Sequence, residues 1–266
     1  MRLDSKPVRI GIVLSAGGLR GAAHLGVLRR LVRHHVPVEV MVGVSAGAIV
    51  AAYYAAVGLS VNEMIEQAAV FRGRHILMHG LTLRAHPRLK PYLRRFCGII
   101  PQRLEQLESA SFTSLHHGIK SLGIVCHDID RHQPCYFSTL DSRSVRLSDV
   151  ARASAAVPGM LPAKTMIIGT EVVRLADGGI SDSLPIDFVR SGLGATHVIV
   201  SDCRYSAPTP PFGDASLIYI RPDLDGIRPL RAPAPALMKA VWRGEAAVTA
   251  SVVDQIGRWM RVPVAS

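Results

Sequence analysis

Aromatic residues make up only 5% of the 266-residue chain. No helix-turn-helix, zinc-finger or RNP pattern accompanies the arginines, so nothing supports a sequence-specific reader of nucleic acid. No stretch reaches the roughly 18 consecutive apolar residues of a membrane-spanning helix, and the opening MRLDSKPVRI is charged and has no apolar h-region. These absences predict a soluble, cytoplasmic protein with neither signal peptide nor transmembrane segment. The four cysteines, Cys97, Cys126, Cys135 and Cys203, show no CxxC or Cys/His ligand spacing, which argues against a zinc site or a disulfide frame. Acidic residues are missing between Glu66 and Glu105. Arg72, Arg74, Arg84, Arg88, Lys90, Arg94, Arg95 and Arg103 all fall in that gap.

With 48% hydrophobic and 19% charged residues the chain reads as one globular domain, residues 1–266, with a sizeable core. The net charge of +11 points to phosphate-bearing partners such as anionic lipid. A solvated basic face is the bland alternative.

Val8 to Ser15 is apolar and β-branched, and the glycine pair Gly17-Gly18 separates it from the helical pattern of Ala22, Leu25, Leu28 and Leu31. Val38 to Val44 is a second strand, followed by a small-residue helix from Ala46 to Val57. Together they make a βαβα unit with both strands buried. The basic stretch inside about 60–115 reads as short helices forming a cap. Ile119 to Asp128 and Pro134 to Ser138 read as the next strands. In "LSDVARASAAVPGMLPA", Leu147 to Ala163, Ser148 is the candidate helix N-cap. Gly169-Thr170 joins a hairpin that leads into Asp177-Gly178-Gly179. His197 to Ser201 and Leu217 to Ile220 supply the last strands. Ala207–Asp214 and Arg228–Ala236 read as loops, and a closing helix runs over about 236–260.

A dinucleotide fingerprint needs G-x-G-x-x-G after the first strand and an acidic residue ending the second. Here the first glycine position is Ala16, and the second strand ends in Gly43-Val44-Ser45-Ala46-Gly47. That pentapeptide is a G-x-S-x-G elbow on a strand-to-helix turn, where the flanking glycines relieve crowding and the helix N-terminus points at the serine oxygen. Parallel strands set the first turn beside the second, so the N–H groups of Gly17 and Gly18 can face the carbonyl oxygen of an ester attacked by Ser45, with Arg20 adding positive charge. The hydroxyl needs a base. Asp177 and His197 fit the chain order of a Ser-Asp-His triad, but His197 enters a strand instead of following the last one. His24 reads as packed. Asp177, opening a Gly-Gly turn after a strand, is the better base, and Asp128 and Asp202 at other strand ends are weaker rivals.

These motifs resemble the patatin-like phospholipase family: "SAGGLRGAAHLGVL", "VGVSAGA", "ASAAVPGMLP" and "LADGGISDSLP" occur in its order between Ile10 and Ser201. The resemblance implies a three-layer α/β/α sandwich with a mainly parallel central sheet. It implies Ser45 as nucleophile, Asp177 as base, and Gly17, Gly18 and Arg20 as oxyanion site, the elbow and turn glycines being Gly43, Gly47, Gly178 and Gly179. The chain departs from the family at Ala16, where the turn usually begins with a further glycine. The expected activity is hydrolysis of a fatty acyl ester or phospholipid through a Ser-Asp dyad and an acyl-enzyme, without metal or organic cofactor, with the basic cap facing an anionic membrane surface. A serine esterase, thioesterase or acyltransferase on soluble acyl donors is the enzymatic alternative. A catalytically silent lipid-binding module is the other.

Overall fold

The computed structural model describes residues 7–141, 145–206, 213–230 and 233–261. Much of the loop expected at Ala207–Asp214, and residues 231–232 of the one expected at Arg228–Ala236, lie outside them.

The sheet is built on β1 (Ile10–Leu14), β2 (Val38–Val44), β3 (Ser121–Asp128), β4 (Gln133–Ser138), β5 (Lys164–Ile168), β6 (Glu171–Asp177), β7 (His197–Ser201) and β8 (Leu217–Ile220). Its order is β5-β6-β3-β2-β1-β7-β8, with β4 also paired to β3. The pairings along β3-β2-β1-β7-β8 are parallel, while β4, β5 and β6 add antiparallel ones. Parallel strands are covered on both faces, which is why β1 and β2 read as continuous apolar runs rather than alternating ones.

Ile10, Ile12 and Leu14 pack on one face with residues of α1 (Ala22–Arg33), α2 (Ala46–Ala51), α7 (Leu147–Ser154) and α8 (Ala234–Ala247). Val13, Val40 and Val42 pack on the other against Val189 and Leu193, at a short helical turn over Phe188–Gly192. The fold is thus an α/β/α sandwich with one thick and one thin helical layer.

Between the first two βα units and β3 lie α3 (Val61–Val70), α4 (Gly73–Arg84), α5 (Lys90–Arg94) and α6 (Ile100–Glu108), with no strand among the described residues. Two local expectations are corrected. The closing helix is two: Thr249 caps α9 (Ala250–Met260) by accepting the Val252 N–H on its hydroxyl, and this interrupts the run from Ala234. Ser148 is not a cap, because α7 starts one residue earlier with Arg146 at its N-cap, and Ser148 is buried inside the first turn. Among the described residues no helix is long and apolar enough to cross a membrane.

One detail of topology positions the site. A strand has two hydrogen-bonding edges, and β4 occupies one edge of β3 from Gly123 to Asp128. On the other edge β2 pairs up to Val44↔Val125, and β6 takes over at Cys126↔Asp177. The end of β2 and the end of β6 therefore meet at adjacent registers of one strand. Ser45 follows the first and Asp177 closes the second.

Candidate active site

Ser45 stands at the β2-to-α2 turn with φ 55° and ψ −119°, a conformation that costs a non-glycine residue about 1–3 kcal/mol. The turn is tight enough that a Cβ on Gly43 would lie 2.4 Å from the Gly47 carbonyl oxygen, and one on Gly47 2.1 Å from that of Leu14. These contacts are the steric content of the G-x-S-x-G pattern. The backbone N–H of Ser45 donates to Ser154 Oγ at 3.0 Å, and that hydroxyl donates on to the Val125 carbonyl at 2.6 Å. Ser154 thus ties the strained turn to β3. Nothing in the sequence singles it out from the small residues around it. Ser154→Ala would strand the buried Ser45 N–H and take away the Val125 carbonyl's hydroxyl donor, at about 1–3 kcal/mol. The expected result is a lower Tm together with a lower kcat, and a denaturation scan beside an ester assay checks it.

Ser45 Oγ donates to Asp177 Oδ2 at 2.6 Å, and Asp177 Oδ1 accepts the Gly179 N–H at 2.8 Å. Both residues are buried. Burial pushes the Asp177 carboxyl above its ordinary range, and the hydrogen bonds from Ser45 and Gly179 oppose that rise without cancelling it. Gly178 permits the approach, since a Cβ there would lie 2.2 Å from the Val125 carbonyl oxygen.

The rival residues are committed elsewhere. For Asp202, burial would raise the pKa, but Arg204 and Arg221 pair with the carboxylate and hold it below its usual range. Asp128 is likewise lowered, against its burial, by the turn N–H groups of Asp130 and Arg131 and by the Arg131 guanidinium. A carboxylate locked to arginine is a poor proton acceptor. Asp177 has no cation within ion-pair distance among the described residues. His197 pairs with Ile10 at the start of β1, at the opposite end of the strands from Ser45, and packs against Trp259. His24 is fully buried between Ser201 Oγ and the Ser15 carbonyl, and its pKa is lowered by burial to about 4.

In the turn after β1, Leu19 N–H donates to the Pro229 carbonyl and Arg20 N–H to that of Gly17, while the N–H groups of Gly17 and Gly18 have no protein acceptor among the described residues. Gly18 takes φ +56°, and a Cβ there would lie 2.4 Å from the Pro229 carbonyl oxygen. The residue after the elbow serine, Ala46, opens α2 and is a further backbone donor that the motif itself points to. Arg20 is a correction. Its guanidinium is buried against the carbonyls of Cys203, Leu224, Ile227 and Arg204, so it anchors the later loops and adds no donor at the ester.

Ser45 and Ala46 open onto a cavity of about 450 Å³ walled mostly by apolar side chains of α2, α3, α4 and α6, among them Ile49, Met64, Ile76 and Ile100. No His/Cys/Asp/Glu group able to hold a metal ion occurs among the described residues.

The patatin-like phospholipase family model matches residues 12–190, two thirds of the chain, including Gly17, Gly18, Ser45, Ser154 and Asp177. The chain belongs to the patatin-like phospholipase family. Among its relatives, a patatin-like phospholipase domain-containing protein of Caenorhabditis elegans is 30% identical over 203 residues, covering 73% of this chain and 13% of that protein. The lysophospholipase nte1 of Aspergillus fumigatus is 29% identical over 197 residues, covering 73% and 12%. The chain spans about an eighth of the length of these relatives. Solved structures share the fold at low identity. VipD from Legionella pneumophila superimposes with a TM-score of 0.57 at 16% identity, covering 96% of this chain and 67% of that one. The type III effector protein ExoU of Pseudomonas aeruginosa gives 0.53 at 16% identity, covering 97% and 54%. In this patatin-like turn Ala16 stands where the family usually has glycine. Its methyl lies on the Asp177 turn, 2.9 Å from where a Cβ on Gly179 would be, and its N–H donates to Ser183. Ala16 therefore faces the Asp177-Gly178-Gly179 turn.

Proposed function

We propose that this chain is a serine lipid acyl hydrolase of phospholipase A or lysophospholipase type, working through Ser45 and Asp177. The observation that carries the reading is the 2.6 Å contact between a buried, cation-free carboxylate and the hydroxyl of Ser45, a residue that lines an apolar cavity. Asp177 Oδ2 takes the hydroxyl proton as Ser45 Oγ bonds to the ester carbonyl carbon. Negative charge moves to the former carbonyl oxygen, where the N–H groups of Gly17, Gly18 and Ala46 stabilise it. The ester C–O bond then breaks, and the departing alkoxide takes the proton from Asp177. Water repeats the sequence against the acyl-enzyme, giving fatty acid and free Ser45. The chemistry asks for no metal or organic cofactor.

A single hydrolase domain with residues 60–115 as its cap fits this reading. Leu77, Leu81, Leu89, Tyr92 and Phe96 are exposed on the cap, and Arg74, Arg88, Lys90 and Arg95 have no carboxylate within ion-pair distance among the described residues. Exposed apolar side chains and unpaired cations on one segment suit an anionic bilayer surface. Binding to phosphatidylglycerol vesicles is expected to fall as salt rises; equal binding to phosphatidylcholine vesicles, or none at any salt, would remove this contact.

Intact-mass spectrometry after incubation with a long-chain fluorophosphonate tests the nucleophile. One adduct per chain on Ser45 is expected, absent from Ser45→Ala. Failure to label the folded protein would favour a silent lipid-binding module. Labelling with turnover of thioesters or soluble esters and none of phospholipids would favour the soluble-donor alternative.

A further inference from the structure

Hydrolysis of an uncharged acyl chain does not account for the charge on the cavity wall. Arg103, Arg152 and Lys164 line it, and among the described residues no aspartate or glutamate does. Lys164 is matched from behind by Asp149 at 2.9 Å. Arg152 has Glu108 only at 3.6 Å. Arg103 has no carboxylate within ion-pair distance among the described residues; one guanidinium nitrogen donates to Gln106 at 2.6 Å, and its Nε is buried with no hydrogen-bond partner. A buried cationic N–H group without an acceptor, beside an apolar cavity, is an arrangement that folding alone disfavours.

Both arginines line the same cavity as Tyr53. Arg103 comes from α6 and Arg152 from α7, and both charges act on the Tyr53 hydroxyl, which burial otherwise pushes toward its neutral form. Tyr53 itself lines the cavity, and its hydroxyl has no protein partner among the described residues. His79 joins from α4, kept neutral by burial and by the charges of Arg152 and Arg94. Tyr53 lies eight residues beyond Ser45 on one helical run, about 12 Å along its axis at 1.5 Å per residue.

We infer that Arg103 and Arg152, with the Tyr53 hydroxyl as a neutral donor, form an anion subsite that binds the phosphate of a phospholipid or lysophospholipid whose acyl ester lies at Ser45. The inference rests on the lipid-hydrolase reading and adds to it the residues that hold the substrate's phosphate. Guanidinium forks suit phosphate oxygens, and their charge-assisted hydrogen bonds are worth most in a dry wall.

The test compares kcat/KM for a 1-acyl-lysophosphatidylglycerol with that for the 1-monoacylglycerol of the same chain, in wild type, Arg103→Gln, Arg152→Gln and Arg103→Lys, each confirmed folded by circular dichroism. The wild type is expected to prefer the phosphate ester. In both glutamine variants that preference ratio is expected to fall about tenfold or more, carried by KM, with Arg103→Lys keeping part of it. A ratio unchanged in both glutamine variants would overturn the subsite, whatever happens to absolute rates.

A binding arm separates this inference from the catalytic reading. Calorimetry is expected to show octyl phosphate binding wild type at least about tenfold tighter than 1-octanol, with the difference lost in Arg103→Gln. If that holds while no ester is hydrolysed, the subsite stands and the hydrolase reading falls. If esters are hydrolysed and the affinity difference is missing, the hydrolase reading stands and the subsite falls. Inorganic phosphate is expected to bind far more weakly than octyl phosphate, and equal binding would make this a free-phosphate site and overturn the headgroup assignment.

Discussion

Ser45→Ala is expected to lower fatty acid release by about ten-thousandfold or more, because a removed nucleophile disables the whole dyad at once and leaves only binding and the oxyanion donors. The fold is expected to survive. Asp177 keeps the Gly179 N–H, Ser154 keeps the residue-45 N–H, and the lost atom is a single oxygen at a cavity wall. A companion variant separates chemistry from strain. Ser45→Gly is equally inactive but relieves a backbone at φ 55°, ψ −119°, and so is expected to melt above Ser45→Ala. A melting series across wild type and both variants checks this. Retained activity in Ser45→Ala would place the nucleophile elsewhere.

Asp177→Asn is expected to cost about a thousandfold or more in kcat while leaving the geometry nearly intact, since the amide oxygen can keep the Gly179 N–H and the amide NH2 can donate to Ser45 Oγ, but neither can take the hydroxyl proton. The pH dependence follows from the burial of the carboxyl. Its folded pKa is raised, so the base is protonated over a window above the ordinary carboxylate range, and kcat/KM of the wild type is expected to decline as pH falls through that raised value. Stability runs in the opposite sense. Between the unfolded and the raised folded pKa the native state holds the proton more tightly than the unfolded chain, so this group's contribution to stability is fully present below the unfolded pKa and lost as pH rises through the folded one. At neutral pH the buried carboxylate is therefore a cost, and Asp177→Asn is expected to melt at or above the wild type. Activity falling while stability holds is the signature of a residue kept for chemistry. A variant that lost both together would make Asp177 a structural turn residue.

The parts of the site that are legible in the sequence are those written over a few residues. The elbow around Ser45, the glycine turn at Gly17-Gly18 and the Asp177-Gly178-Gly179 turn each declare themselves because a sharp strand end needs small residues at fixed offsets. The order of strands and helices is legible for the same reason, through apolar runs and their breaks. What is not legible depends on pairings far apart in the chain. Arg20 reads as a free cation beside the oxyanion turn, and its acceptors on Cys203, Leu224 and Ile227 stand about two hundred residues later. The meeting of Ser45 with Asp177 depends on β6 taking the edge of β3 where β2 stops, a register that no local pattern encodes. Ser154 reads as one small residue among several, because its role arises only when α7 packs against β3. The split at Thr249 is legible in principle, since a threonine followed by a fresh apolar period is a cap signal.

The most direct test of the central claim is fatty acid release from lysophospholipid by wild type, Ser45→Ala, Asp177→Asn and His197→Ala, each confirmed folded by circular dichroism. A Ser45 and Asp177 dyad predicts an active wild type, two inactive variants, and a His197→Ala enzyme close to wild type. An inactive His197→Ala enzyme with an unaltered melting profile, or an Asp177→Asn enzyme at full rate, would contradict it.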